Sequence, residues 1–389
     1  MRTIVSGLPT LDALLELVCV ELQLSDTQDR LARQHYDAVT DWLSRDGSPL
    51  EMFDPHIFPQ GSQRLGTTTR PVRHAEYDLD AVCKLTAAED WTPGELYRLI
   101  WDRLWENGTY RPMMRRMPRC IRLEYAGNFH LDIAPAIPDV HCGGNCILVP
   151  DLDANLAIEH PENNLWKSTN PQGYAEWFEG QCVPVWTLNA KYARAQIDPV
   201  PKKEAVHAKP ALKRSVQLLK RWRDLAYSDR PKLAPPSIIL TTLSGTFYEG
   251  QQSCSDAIDS ILTETICRMS SSAPLRLTNP AHSTENICEK WDQHPEAYDD
   301  FADSIAELHE RWERLHRLRG IHLIERELSE LFGESPVTSA IRAMTDRTIV
   351  QPRVNRTLHV QPKSGILLPA AMAGASLRMP PNVYHGDAD

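Results

Sequence analysis

Three aspartates in this chain stand at spacings that can gather carboxylates around a cation. Two are in Tyr77-Asp78-Leu79-Asp80 and the third is in Phe129-His130-Leu131-Asp132-Ile133. Side chains alternate faces along a strand, so Asp78 and Asp80 project to one side. On the second strand His130 and Asp132 point away from Leu131 and Ile133. Carboxylates this close repel one another unless a cation or a shared proton neutralises them. Mg²⁺ takes oxygen ligands and is commonly held by one or two carboxylates plus substrate phosphates. If the two strands pair, Asp132 joins the cluster, and three carboxylates can bridge two metals. One metal would activate an attacking hydroxyl, and the other would hold a triphosphate and its leaving group. An isolated Asp-x-Asp is more often a solvated surface pair. The reading rests on the whole set, because phosphoryl transfer is chiefly positioning and charge neutralisation.

Just ahead lies Gln60-Gly61-Ser62-Gln63-Arg64-Leu65-Gly66-Thr67-Thr68-Thr69-Arg70. Gly61 lets backbone approach a phosphate, and the Ser62 hydroxyl and neighbouring N–H groups can donate to it. Arg64 and Arg70 are candidate phosphate contacts, although Arg64 can equally pair with an acid. Farther along, Lys213, Arg214, Lys220 and Arg221 form a basic group on one helical segment. Lys213 and Lys220 lie two turns apart on about the same face and are the preferred phosphate ligands; a solvated basic face is the competing reading. Ser244 is a candidate contact to a base or ribose. His141-Cys142-Gly143-Gly144-Asn145-Cys146 offers soft metal ligands. A zinc site needs four ligands, and only one Cys pair is obvious here with His160 the nearest extra His, so a plain loop outweighs zinc. Of Trp166, Trp177 and Trp186, one could stack on a base; anchoring a loop-rich region to the core is the weightier role.

These residues need elements to hold them. Apolar spacing predicts helices over residues 11–24 and 29–43 and a strand over 76–85. Thr92-Pro93 with Glu95 reads as a helix start, continuing to about residue 107. Residues 120–125 and 129–133 read as strands joined by a tight turn at Ala126-Gly127-Asn128. Residues 55–59 read only as a Pro-bounded lead-in. Residues 135–201 are rich in Pro, Asn and Gly and read as irregular, with one short helix near 174–178. Helices are expected over 205–226, 237–248, 255–269, 298–318 and 322–332. The last segment, 353–389, reads as a strand or two followed by a flexible tail.

The bulk properties narrow the class. At 389 residues with 42% hydrophobic and 24% charged residues, the chain can build a sizeable core. No apolar run approaches the roughly 20 residues of a membrane helix, and no signal peptide is legible. Nine scattered cysteines do not form a disulfide framework, which points to a reducing, cytoplasmic setting. A formal net charge of −10 argues against a stable nucleic-acid partner but leaves room for a small phosphorylated substrate.

The Gly-Ser turn, the basic Thr-containing segment, the Asp-x-Asp strand and the later lone Asp occur here in the order of the DNA polymerase β-like nucleotidyltransferases. Within that superfamily the chain resembles the cGAS/DncV-like nucleotidyltransferases (CD-NTases) of bacterial CBASS anti-phage systems. Residues 212–223 resemble the family's long core helix, and residues 237–243 the helix after it. Asn279-Pro280, Glu285-Asn286, Trp291 and Leu331-Phe332-Gly333-Glu334 resemble later family stretches. The resemblance covers roughly residues 60–334 and implies an α+β fold: a nucleotidyltransferase core with a mixed sheet and a helical C-terminal lobe. The expected division is residues 1–200 for the core, 201–350 for the helical lobe and 351–389 for an extension and tail. It further implies synthesis of a cyclic di- or trinucleotide from nucleoside triphosphates with release of pyrophosphate, and two Mg²⁺ or Mn²⁺ ions per site. By position, Gly61 and Ser62 would bind triphosphate oxygens, Asp78 and Asp80 both metals, and Asp132 the catalytic metal. A separate effector would respond to the product, and accessory proteins could act on the C-terminus, which ends Asn382-Val383-Tyr384-His385-Gly386-Asp387-Ala388-Asp389. A linear oligonucleotide synthase, a small-molecule adenylyltransferase and a turnover-deficient nucleotide-binding regulator are the competing readings.

Overall fold

Two helices open the chain, α1 (Leu11–Glu21) and α2 (Asp26–Ser44). The computed structural model describes residues 11–72, 77–86, 91–125, 129–152, 165–182, 198–270 and 274–347, and the backbone of 358–360, 367–369 and 377–378. The sequence predicts α2 from residue 29, but Ser25 starts it earlier. The Ser25 hydroxyl accepts from the Gln28 N–H while the Gln28 side chain accepts from the Ser25 N–H, a capping box.

Seven strands form the central sheet: β1 (Pro55–Gln60), β2 (Tyr77–Leu85), β3 (Met114–Arg116), β4 (Ile121–Tyr125), β5 (Phe129–Pro138), β6 (Ile147–Asp151) and β7 (Leu165–Thr169). The main order is β1-β2-β5-β4-β3, and β6 pairs with the far end of β5 and with β7. Among the described residues only β2 and β5 run parallel, so the sheet is mixed. The Pro-bounded lead-in is an edge strand. Pro55 and Pro59 are tolerated there because β1 pairs on one side only. The stretch 135–201 also holds more order than its composition suggests: β5 continues to Pro138, β6 and β7 follow, and α5 spans Pro171–Cys182.

The sheet's two faces differ. Tyr77, Leu79, Ala81 and Leu123 pack with Tyr36 and Val39 of α2 and with Leu96 and Ile100 of α4 (Pro93–Trp105). On the other face Val82, Phe58, Ala134, Ala136, Ile147 and Val149 form a second apolar cluster. Asp78 and Asp80 share Val82's face by strand alternation.

Between β1 and β2 sits the five-residue helix α3 (Gly61–Leu65), closed by Gly66 in the left-handed region at φ +68. The helical part contains α6 (Ala211–Ala226), α7 (Ser237–Phe247) and α8 (Cys254–Met269). A two-stranded ribbon of β8 (Thr278–Asn279) and β9 (His282–Asn286) follows, then α9 (Glu289–Gln293) and α10 (Pro295–Arg317). Trp166 packs against the core, and Trp177 stands against Gly245; Trp186 and His160 lie outside the described residues.

The chain divides into two compact units, Gln23–Glu313 and Met1–Leu22 with Arg314–Asp389. In the second unit, α1 and α11 (Ile321–Phe332) each pack on α12 (Glu334–Thr345). Leu14, Leu15 and Val18 of α1, Leu331 and Phe332 of α11, and Val337 and Ala340 of α12 are buried. The three-stranded sheet β11-β10-β12 also belongs to it, with β10 Leu358–Val360, β11 Leu367–Pro369 and β12 Leu377–Arg378. The turn at 126–128 and the terminal residues 382–389 lie outside the described residues. Among the described residues no helix is long and apolar enough to cross a membrane.

Candidate active site

Parallel pairing of β2 with β5 sets Asp80 opposite Asp132 and Asp78 opposite His130. Neighbouring strands are about 4.8 Å apart, so the three carboxylates share one patch of the sheet face. Burial, and then the charge of Asp132, raise the Asp78 carboxyl above the usual carboxylate range. Asp80 is pushed up to about 7 by burial, then by the charges of Asp132 and Asp78. Asp132 has its own counterion. Arg122, its cross-strand partner on β4, makes a two-pronged pair with it at 2.8 and 2.7 Å.

Gly61 is required here on two grounds. Its φ of +61 lies in the left-handed region, and an added Cβ would stand 2.1 Å from Asp80 Oδ2. The backbone therefore passes directly over the carboxylate. Ser62 follows, with its Oγ 3.0 Å from Thr68 Oγ1.

One polar stripe of α6 carries Lys213, Gln217 and Lys220 at helical spacing, and Lys220 at one end of it faces this patch. All three are buried, and Gln217 and Lys220 bond to the loop after α3. Lys220 Nζ donates to Thr67 Oγ1 at 2.9 Å, and Gln217 Nε2 to the Thr68 carbonyl at 2.6 Å. Lys209 adds a hydrogen bond to the Gly66 carbonyl at 3.0 Å. The adjoining side of α6, with Leu212 and Val216, packs on Tyr174 and Phe178 of α5. Burial, and then the charge of Arg223, lower the Lys220 ammonium to about 7.

A cavity of about 560 Å³ lies between the two walls, lined by Ser62, Thr67, Asp78, Lys220, Arg223 and Tyr227 among others. A second, of about 230 Å³, is lined by Gly61, Ser62, Asp80, Lys220, Tyr174 and Glu285 among others. Ser62 and Lys220 line both. Their sizes suit ligands of nucleotide scale.

The other candidates are placed differently. Lys213 pairs with Glu204 at 3.0 Å and lines a separate cavity of about 100 Å³, so it does not face the carboxylates as its sister lysine does. Arg64 pairs with Glu179 while lining the smaller catalytic-side cavity, in line with the acid-pairing reading. Ser244 is fully buried in α7 and lines none of these three cavities. Arg70 is exposed and its carbonyl accepts from Arg221 at 3.4 Å. Sequence reasoning missed Arg122, Thr67 and Gln217. A signal for Arg122 was present: counting back from the turn at 126–128 pairs 125 with 129 and hence 122 with 132.

Residues 10–181 match the SMODS family, the Second Messenger Oligonucleotide or Dinucleotide Synthetase domain. A c-di-GMP synthase of Roseivirga ehrenbergii is 32% identical over 362 residues, which cover 90% of this chain and 91% of the relative. The cyclic dinucleotide synthase CdnG of Bradyrhizobium diazoefficiens is 26% identical over 401 residues, 95% of this chain and 92% of CdnG. Its structure in complex with GTP superposes with a TM-score of 0.67, covering 86% of this chain and 99% of that one at 23% identity. The E. coli MS115-1 CdnC:HORMA-deltaN complex shares the fold at a TM-score of 0.60 and 12% identity, covering 84% of this chain and 98% of that one. The α+β architecture is thus that of the polymerase β-like nucleotidyltransferases. The chain belongs to the cGAS/DncV-like nucleotidyltransferases, and it is a nucleotidyltransferase of the cyclic oligonucleotide synthase class.

Proposed function

We propose that this chain joins two nucleoside triphosphates into a cyclic dinucleotide, with guanine the first base to test, by using Asp78, Asp80 and Asp132 as its catalytic carboxylates. The observation that carries this reading is the carboxylate patch beneath Gly61 and Ser62, faced by Lys220 across two adjoining cavities. Two cavities that share Ser62 and Lys220 suit two nucleotides whose reacting ends meet at that point. Both named relatives make cyclic dinucleotides by their names, and one makes c-di-GMP.

The residues fit a pair of divalent cations. Three carboxylates crowd one patch, and burial, then the charge of Asp132, hold Asp78 and Asp80 above their usual range. Oxygen-only donors suit Mg²⁺ or Mn²⁺. Asp78 and Asp80 would hold both ions, and Asp132 would hold the one nearer the acceptor hydroxyl. When bound, such ions neutralise triphosphate charge and favour the ionised hydroxyl. The chain's own part is positioning. Ser62 and the Gly61 turn orient the triphosphate, and Lys220 presents an ammonium to its oxygens. Arg122 fixes the Asp132 carboxylate on the sheet face. Each bond-forming step attaches a ribose hydroxyl oxygen to an α-phosphorus and releases pyrophosphate. Doing it twice closes the ring.

The test is incubation of the purified chain with all four ribonucleoside triphosphates and Mg²⁺ or Mn²⁺, read by mass spectrometry after phosphatase treatment. A phosphatase-resistant cyclic dinucleotide is the expected product. A product digested by phosphatase, or adenylylated small molecules instead, would replace the reading with another reaction on the same core. On the same family reading the product signals to a separate effector in anti-phage defence. A gene neighbourhood with no such effector would remove that part alone.

A further inference from the structure

The β5–β6 loop turns back on itself through Gly143 and Gly144, both at positive φ (+76 and +62). That turn brings together Cys142 and Cys146, which are joined as a disulfide. A third group meets them from a distant part of the chain. A ring nitrogen of His282, the first residue of β9, lies within 4.8 Å of both sulfurs. A disulfide needs no imidazole beside it, whereas two thiolates and an imidazole are a metal-ligand set. We propose that, in the dithiol form, Cys142, Cys146 and His282 bind a zinc ion that ties the β5–β6 loop to the β8–β9 ribbon.

The chemistry balances simply. Two equivalents of a thiol reductant convert the disulfide to two thiols and are themselves oxidised to a disulfide. Zinc then displaces two protons, one from each thiol. Two thiolates, a neutral imidazole and Zn²⁺ carry no net charge, which suits a site where Cys146 and His282 are buried. The Cys-x₃-Cys spacing falls within the range of tight zinc-binding pairs. Cys142 is exposed and gives the ion a way in, with water left for the fourth position.

The surroundings are organised as a metal-ligating histidine requires. His282 Nε2 is 2.7 Å from Ser168 Oγ, and Nδ1 is 3.1 Å from Thr284 Oγ1. One nitrogen can turn to the ion while the other keeps its partner. Ser168 in turn donates to Asp139, whose Oδ1 accepts from the backbone N–H of His141 and Cys142 at 3.0 and 3.3 Å. The histidine and the cysteine loop are thus held by one relay. The clip would also act on the smaller cavity, because Glu285 of the same ribbon lines it and accepts from Thr169 at 2.8 Å.

The test uses the full chain, reduced without oxygen, stripped of metal and titrated with Co²⁺ as a spectroscopic probe. Cobalt on the carboxylate patch would give only weak oxygen-ligand bands. Cobalt here gives an intense thiolate charge-transfer band at one equivalent, which Zn²⁺ abolishes. His282→Ala should weaken the binding more than about tenfold, and Cys142→Ser with Cys146→Ser should remove the band. A readout without substitution guards against misfolding: Zn²⁺ should protect the peptide holding Cys142 and Cys146 from alkylation. Equal alkylation with and without Zn²⁺, absence of the band, or a disulfide that survives reduction of the folded chain would each overturn the proposal.

Discussion

The cleft has two walls of opposite charge, and each is internally at odds with itself. On the sheet, Asp78 and Asp80 sit beside Asp132, and burial, then the charge of Asp132, keeps both carboxyls reluctant to ionise. On α6, Lys220 is buried near Arg223 and is reluctant to stay protonated. Each wall also contains a compensated counterpart. Asp132 has Arg122, and Lys213 has Glu204. The members of the two walls that form no ion pair among the described residues, Asp78, Asp80 and Lys220, are the ones that line the cavities shared with Ser62. The contrast teaches that charge type alone does not mark a binding group. Charge left unbalanced at a cavity wall does, because a cation and a polyanion can relieve both walls at once.

The sharpest way to break this comparison is to erase the acidic wall. Asp78→Asn with Asp80→Asn should lower pyrophosphate release by more than about a thousandfold, since charge-stabilising groups at such centres are each worth large factors. The far-ultraviolet circular dichroism should be unchanged. Turnover near the wild-type rate would remove these carboxylates from the chemistry. The basic wall offers an internal control. Lys220→Met should cost about a hundredfold in kcat/KM. Lys213→Met should stay within about threefold, because it gives up an ion pair to a partly exposed Glu204 that water can solvate. Equal losses at both positions would mean that the stripe works as a unit and that the contrast between the two lysines is false.

Gly61→Ala probes the place where backbone and carboxylate meet. A left-handed alanine costs about 1 kcal/mol, and its Cβ would collide with Asp80 Oδ2, 2.1 Å away, unless that side chain moves. We expect roughly a tenfold loss of kcat with a wild-type fold. Retention of full activity would show that Asp80 can swing aside at no cost and that its position under the turn is incidental.

How much of this could be read from the chain follows the range of the interactions. Asp78, Asp80 and Asp132 were legible because strand alternation is local and apolar neighbours mark the faces. The Arg122 pair was legible in principle, since a hairpin's register follows from its turn. Parallel pairing of β2 with β5 was not, because α4, β3 and β4 intervene and nothing local sets that register. The two lysines separated for the same reason: helical spacing put them on one face, but the pairing of Lys213 with Glu204 is a tertiary fact. Proline misled at the lead-in, where Pro55 and Pro59 hid an edge strand, while α12 received no reading at all. His282 could not have been joined to the cysteine loop by any short-range rule.

The smallest effect expected is on the metal-free fold, and it isolates the repulsion within the acidic wall. An aspartate has a pKa near 3.8 when unfolded, and Asp80 is raised to about 7 in the fold. A carboxyl raised on folding contributes stability that is fully present below the unfolded value and is lost as pH rises through the folded one. The metal-free wild type should therefore weaken between about pH 4 and pH 8 by this contribution. Asp80→Asn has no charge to impose. Its melting temperature should exceed the wild type's by several degrees at pH 8, and the gain should vanish near pH 4. Adding Mg²⁺ at pH 8 should raise the wild type and move the variant less. A gain of equal size at both pH values would mean that asparagine merely packs better, and the acidic wall would then not be a store of repulsion that a cation relieves.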